Sequence, residues 1–522
     1  MKNDSDSGGS VSIWMATAET PPQSTLTEDV NADVCIVGAG IAGMTTAYLL
    51  TRQGKSVVVL DKGPIGGGQT ERTTAHLANV MDDSYVEIER LHGEEGARLA
   101  AESHTEAINR IEAIVGKENI DCDFERLNGY LFVPTGESTE VLDLELEAAH
   151  RAGLGNVKRF NRAPLDSFDT GPCLCFPRQA QFHPIKYLSG LAQAIGQEGG
   201  RIFTGVHVDR IEGDSHAEIQ TRSGRMVNAT DVVVATNTPI NDLVAIHTKQ
   251  APYMTYVIGA RVPRGSITKG LYWDTSDPYH YVRLQRISAR GSIEEYNNES
   301  KAHDMLIVGG EDHKTGQKDD ANEQYARLEL WSRKRFPMME AVEFRWSGQV
   351  MEPIDGLAFI GRNPMDSPNV YIATGDSGMG MTHGTIAGIL LADLILGREN
   401  PWAHLYDPAR KTFRAGLEFA KENLNVITQY KEWLTGSEVH SFDEIAPGTG
   451  AVIQNGLRKV AAYRDEKGVL HAHSAVCTHL GCIVAWNSGE KTWDCPCHGS
   501  RFDAYGKVIS GPAIKDLAVL KE

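Results

Sequence analysis

Two short segments near the end of the chain, CTHLGC at 477–482 and CPCHGS at 495–500, constrain the fold more than any other feature of the 522 residues. Cys477 and His479 make a C-x-H pair and Cys495 and His498 a C-x-x-H pair, with fifteen residues between His479 and Cys495. Four such donors bind one centre only if the chain folds into two loops that face each other. Two thiolates suit one iron of a 2Fe-2S cluster and two neutral imidazoles suit the other, which raises the potential above that of an all-cysteine cluster. Tetrahedral zinc is the competing occupant of a two-Cys, two-His set. The surroundings favour the cluster: Gly481, Gly499 and Gly511-Pro512 fit backbone that passes close to sulfides and donates N–H bonds to them.

On these residues the last 80 or so positions resemble a Rieske domain, and several expectations follow from that resemblance. Cys482 and Cys497 correspond to the disulfide that ties the two cluster loops in high-potential Rieske proteins. Those proteins carry a Ser and a Tyr after the second histidine whose hydroxyls stabilise the reduced cluster. Here Ser500 is present but Phe502 replaces the Tyr, which implies a potential below the top of the roughly -150 to +300 mV Rieske range. The domain is expected over 441–522. It opens with GAVIQNGLRKVAAY, turns at Asp465-Glu466-Lys467-Gly468 and continues as VLHAHSAVC, a hairpin pattern suited to a small all-β unit.

A second constraint lies near the start. DVCIVGAGIAG at 33–43 is an apolar strand running into Gly38-x-Gly40-x-x-Gly43 and a helix, and KSVVVLD follows, ending in Asp61. The first glycine permits the tight turn, the second lets backbone approach a pyrophosphate, and the third lets helix and strand pack closely. The helix N-terminus then faces the anion, and Asp61 is placed for ribose hydroxyls. FAD and NAD share this fingerprint, and later segments decide for FAD. DVVVATN at 231–237 is a second buried strand, and NVYIATGDSGMGMTHGTIAGILLADLILG at 369–397 reads as strand, glycine-rich turn and apolar helix. That helix starts near Gly378, where its N-terminus could stabilise charge on a reduced flavin. No second glycine fingerprint for NAD(P) is visible.

From about 31 to 400 the chain is similar to D-amino-acid-oxidase-like FAD-dependent oxidoreductases, and as a whole to a subgroup with a C-terminal Rieske domain. The implied fold class is α/β: a Rossmann-like FAD domain, an interleaved α+β substrate domain mainly at 246–344, and the all-β domain. By the resemblance, Gly38, Gly40, Gly43, Asp61 and Lys62 bind the ADP part, Val208 meets adenine, and Gly375, Gly378, Met379, Gly380 and Met381 face the flavin. GGGQTERTTAHL at 66–77 matches the loop over the ring in looser form, and FAD is expected to be held noncovalently, with His76 out of register for a covalent link. YWDTSDPYHYVRLQ at 272–285 puts Tyr279, Tyr281 and Arg283 on one strand face. Such a face could roof the flavin and pair a substrate carboxylate with Arg283, or be a plain aromatic face with a solvated Arg. Tyr281, Arg283 and His383 are the catalytic candidates.

The remaining expectations concern organisation and partners. Residues 1–30 read as a tail without a secretory signal, and 401–440 as a linker in which Phe413, Leu417, Ala420, Leu424, Ile427 and Leu434 follow helical spacing over 411–434. A net charge of -18 argues against nucleic acid and anionic membrane surfaces, and no apolar run approaches bilayer length. Cys35 reads as core, and Cys173 with Cys175 as small apolar side chains on a strand rather than a redox pair. A cytoplasmic home fits this usage, although a disulfide there is unusual. A flavin takes two electrons as hydride and a 2Fe-2S cluster moves one, so the pair makes a two-to-one-electron converter. The leading expectation is oxidation of an amine or amino-acid-like small molecule at FAD, electrons leaving singly through the cluster to an acceptor protein docked at exposed His479 and His498. The alternatives are reverse flow, with a donor protein feeding the cluster and the flavin reducing or hydroxylating substrate, or a non-catalytic electron carrier or redox sensor.

Overall fold

Runs of Val and Ile between glycine turns build the first layer. Val30–Val37, Val57–Leu60 and Met226–Val234 pair in parallel, Arg201–Phe203 and Val370–Thr374 extend them on either side, and Phe359–Arg362 closes one edge antiparallel. A parallel strand is covered on both faces and needs apolar side chains at successive positions; Cys35, Ile36, Val58 and Val233 are all fully buried. Over this sheet the helices Ile41–Thr51 and Gly380–Ile395 pack closely because glycine occupies the contact, and a Cβ on Gly384 or Gly388 would overlap Ile41 or Thr45.

The computed structural model describes residues 8–241, 246–287, 302–411, 441–456 and 458–520, with isolated positions between 412 and 440. The apolar positions of the helix expected over 411–434 lie outside the described residues.

The second sheet runs in spatial order Val342–Pro353, Gln250–Pro263, His303–Lys314, His280–Arg286, Leu271–Asp274, Glu125–Phe132, Cys173–Gln181 and His76–Leu77, with Lys158–Phe160 paired to Cys173–Gln181. It is wider than the 246–344 expectation, since several of its strands come from 76–181. Leu271–Asp274 pairs in parallel with Glu125–Phe132, and a partner some 140 residues away leaves no local signal in either strand.

The C-terminal region is two antiparallel sheets, one of Thr449–Asn455, Arg458–Arg464 and Leu470–Ser474, the other of Ala485–Asn487, Thr492–Asp494, Arg501–Asp503 and Val508–Ser510. Asp465 makes the first hairpin turn by accepting from the amides of Lys467 and Val469 through its side chain, with Gly468 at positive φ. This region is docked on the rest of the chain through a buried ion pair, Arg72 to Glu490 at 3.1 Å.

The N-terminal tail expectation is overturned from residue 8 onward. Ser12 caps a short helix, Ile13–Thr17, and donates its hydroxyl to the Glu71 carbonyl at 2.5 Å. Trp14 is fully buried with its indole N–H on the Thr73 carbonyl at 2.6 Å, and Ser10 hydrogen-bonds Glu490. Ile13 and Trp14, the apolar side chains of this helix that are buried, anchor it, because an aromatic side chain brings a large buried area.

Candidate functional site

The glycine turn sits where the parallel sheet meets its first helix. Gly38 has φ 113°, and a Cβ there would overlap the Ala235 carbonyl; one on Gly43 would overlap the Gly38 carbonyl. Gly40 is the N-cap of Ile41–Thr51 and supplies no side-chain cap. Asp61 ties the turn down, its carboxylate accepting from the amides of Ala39 at 2.6 Å and Gly63 at 2.8 Å, and an ionised carboxylate has further lone pairs for a ribose. One continuous cavity starts here, with Lys62 and Val208 in its wall, and runs to the turn of Gly375, Gly378 and Met379 that opens the helix Gly380–Ile395. Gly378 has φ 67°, and a Cβ on it would overlap the Asp82 carboxylate. A cavity with a helix N-terminus at each end and no Cβ at the close approaches fits FAD. Lys62 has an added engagement, because its Nζ also reaches the backbone carbonyls of Val508 and Ile509.

At the far end the cavity is lined by Tyr279, Tyr281, His383, Asp82, Asp312, Glu352 and Asp376. Gly309 leaves room for the Tyr281 ring, whose hydroxyl bonds Thr255 at 2.7 Å, while the Tyr279 hydroxyl donates to Asp82 at 3.1 Å. Burial, reinforced by the neighbouring carboxylates, pushes Asp82 and Glu352 well above the usual range, and burial takes Asp312 and Asp376 up to about 6. His383 is held by the Asp376 carbonyl at 2.8 Å and the His104 ring at 3.2 Å, and burial lowers it to about 4, so it is neutral at pH 7. These carboxylates, spread from 82 to 376, carry no shared sequence motif, and only MDD at 81–83 stands out in hindsight.

Arg283 does not line the cavity. It is fully buried outside the cavity, with its guanidinium on the carbonyls of Thr74, Ala75 and Phe182 and on the Gln285 side chain, and over the Trp14 ring. Strand alternation placed it correctly on the face of Tyr281, but further along that face the N-terminal segment and the 74–75 backbone cover the sheet. Burial lowers Arg283 to about 9, and the carbonyls compensate its lost hydration.

The two cysteine-histidine loops face each other. The Cys477 amide bonds the Cys482 carbonyl at 2.8 Å and the Cys495 amide the Ser500 carbonyl at 2.8 Å, with Gly481 and Gly499 at φ 79° and 78° closing the turns. Cys482 and Cys497 form a disulfide, with Cα atoms 6.5 Å apart, and their sulfurs lie within 4.8 Å of the Cys495 sulfur. The thiols of Cys477 and Cys495 hydrogen-bond each other, and that contact, against burial, draws Cys477 down to about 7. The imidazoles of His479 and His498 lie 5.0 Å apart, and the buried Nδ1 of His498 has no protein partner. Converging thiols and imidazoles with an orphaned ring nitrogen fit a 2Fe-2S cluster with Cys477, His479, Cys495 and His498 as ligands. Ser500 hydrogen-bonds Cys477, and Phe502 is buried in the core that contains Cys477 and Cys495.

The imidazole face expected to be exposed is covered on one side only, with His479 partly exposed and His498 buried. His498 is 5% exposed, and His247, from the turn just before Gln250–Pro263, packs against His479 and His498 at ring distances of 5.0 and 6.0 Å. Beside it the Gln349 side chain, from the cavity wall, donates to the Gly499 carbonyl at 3.0 Å. His247 and Gln349 have no sequence signal, since each matters only through the docked domain.

Comparison with known proteins gives a consistent result. The family model described as FAD dependent oxidoreductase matches residues 33–394, and the Rieske [2Fe-2S] domain model matches 436–521. YhfW of Bacillus subtilis (strain 168), whose name describes a Rieske 2Fe-2S iron-sulfur protein, is 32% identical over 507 residues, covering 97% of this chain and 96% of its own. Gamma-glutamylputrescine oxidoreductase of Escherichia coli (strain K12) is 27% identical over 385 residues, 72% of this chain and 86% of its own. Among solved structures, glycine oxidase from Geobacillus kaustophilus superposes with a TM-score of 0.59 at 17% identity, over 73% of this chain and 99% of its own, a likeness of fold.

Proposed function

The chain belongs to the FAD dependent oxidoreductase family and carries a Rieske [2Fe-2S] domain, and from that premise we propose that it dehydrogenates a cationic amine and passes the electrons singly through its cluster to a one-electron acceptor. It is an FAD-dependent oxidoreductase of the amine or amino-acid oxidase type, and its cofactors are FAD and a 2Fe-2S cluster. In this reading Gly38, Gly40, Gly43 and Asp61 hold the ADP part, the 375–381 turn meets the flavin, and Cys477, His479, Cys495 and His498 ligate the cluster.

The observation that carries the reading is the shared wall: Gln349 lines the flavin cavity and reaches the carbonyl next to the ligand His498. FAD held here would supply a two-electron hydride acceptor and the cluster a one-electron carrier, so each turnover would need two departures to an outside acceptor. The substrate ammonium first loses an N–H proton to a cavity base, then breaks the adjacent C–H bond with its electron pair and leaves as the iminium. Asp312 and Asp376, which ionise above about pH 6, would hold that positive charge and receive the proton, while Asp82 and Glu352, raised well above the usual range, would stay protonated beside them. Among the described residues the Lys and Arg side chains of the cavity wall are Lys62, drawn to the 508–509 carbonyls, and Arg72, held by Glu490, which leaves no guanidinium aimed at a substrate carboxylate. This favours amines over free α-amino acids. His498, buried against His247, faces the flavin body, while partly exposed His479 leaves an edge of the imidazole face for an outside acceptor.

Cys35, Cys122, Cys173 and Cys175 remain unpaired, which supports a reducing, cytoplasmic setting. Among the described residues no helix is long and apolar enough to cross a membrane. The test is an anaerobic screen in which diamines, N-alkyl amines and α-amino acids are mixed rapidly with the holoenzyme. Flavin bleaching by amines, followed by cluster reduction at a rate independent of protein concentration, is expected. Bleaching only by α-amino acids would overturn the substrate class; bleaching by reduced ferredoxin alone would reverse the direction.

A further inference from the structure

We infer that the C-terminal domain builds part of the FAD site, with the segment Val508–Ile514 forming the outer wall over the ADP end, so that FAD cannot leave unless this segment lifts. The inference rests on FAD occupying the glycine-turn cavity and on neither the substrate nor the direction of electron flow.

Val508, Ile509, Ser510, Gly511, Ala513 and Ile514 line the same cavity as Gly38, Asp61 and Val208. Their place along it is set by what they touch. Lys62, next to Asp61, sends its Nζ to the carbonyls of Val508 and Ile509, and His207, next to Val208, has its Nε2 3.1 Å from the Ile514 carbonyl. Gly511 comes so close that a Cβ would sit 3.1 Å from Ile240 and 3.3 Å from the Thr238 carbonyl. Both ends are fastened. Outside the cavity Arg222 donates to the Ile514 carbonyl at 2.7 Å and lies 3.7 Å from Asp516. On the inner side the Ala513 amide donates to Ser500 Oγ at 3.0 Å, and the Lys515 carbonyl accepts from Thr478 Oγ1 at 2.6 Å, which ties the wall to both cluster loops.

A wall of this kind adds contacts to the bound nucleotide and removes its exit. Both slow release, and an element that closes over a ligand acts mainly on the dissociation rate. By linkage, FAD must in turn hold the segment in place.

The test uses full-length holoenzyme. Arg222→Ala removes a surface anchor that does not itself line the cavity, and with it the 2.9 Å contact that holds the wall residue His207 beside the same Ile514 carbonyl. FAD release after dilution, read by the rise in flavin fluorescence, should quicken about tenfold, the effect of losing one charge-assisted hydrogen bond. Hydrogen–deuterium exchange over 508–514 supplies the second measurement, with faster exchange expected in protein stripped of FAD than in the same protein reloaded. A release rate within about twofold of the parent's, or exchange unaltered by FAD, overturns the inference.

Discussion

Replacing Glu490 with Ala tests whether the cluster domain is held on the flavin body by its buried ion pair. Glu490 and Arg72 are 0–1% exposed in their side chains and 3.1 Å apart. At an effective dielectric of about 20 that separation corresponds to an attraction of about 5 kcal/mol, and removing one partner of a buried pair typically costs 3–5 kcal/mol because the other charge is stranded. Arg72 would keep the Ser347 carbonyl at 2.9 Å and the Ser10 carbonyl at 3.2 Å, so the lower end, about 3 kcal/mol, is expected. The assay is denaturant unfolding of the holoenzyme followed separately by cluster absorbance and flavin fluorescence, since a chain with two cofactors need not unfold in one step. Glu490→Ala should move both transitions, and the double variant Arg72→Met with Glu490→Leu should recover much of the loss. A cost below about 1 kcal/mol, or a double variant as weak as the single, would show that the pair does not hold the domains together. The pH dependence has a definite sign. Burial alone would raise Glu490, but Arg72, Arg501, Ser10 and Ser347 together hold it below the usual range. Its contribution is therefore full above the ordinary glutamate value of about 4.3 and is lost only as the pH falls through the lower folded value.

Phe502→Tyr should raise the cluster potential by about 40 mV if the hydroxyl reaches a cluster sulfur and makes a hydrogen bond worth about 1 kcal/mol; an unchanged potential in a redox titration would place the ring away from the cluster. Trp14→Ala should cost about 3–5 kcal/mol in denaturant unfolding, whereas a solvated tail would give no change. Arg283→Met should lower the melting temperature while leaving the ranking of amine substrates unaltered, because its partners are backbone carbonyls. Asp312 and Asp376, raised to about 6, should ionise as the pH rises through that value, so kcat/KM for a cationic amine should climb there. The same shift makes the folded state bind more protons than the unfolded one, so stability falls between about pH 4 and 6.

What the sequence by itself determined was local. The cysteine-histidine loops, the glycine turn at 38–43, the strand ending at Asp61 and the glycine turn before Gly380–Ile395 each impose a backbone requirement that only certain residues satisfy at fixed spacing, so each is legible where it stands. What only the tertiary structure decided was which groups share an enclosure. Arg283 lay on the right strand face and was taken out of the site by Trp14 and the 74–75 carbonyls, both remote in sequence. The carboxylates at 82, 312, 352 and 376 became a single acidic wall, and Gln349 met Gly499, through chain crossovers that no local pattern encodes. Burial is the physical reason: desolvation and long-range pairing set whether a charge is a structural strut, a substrate ligand or a solvated side chain, and both depend on what the rest of the chain places around it.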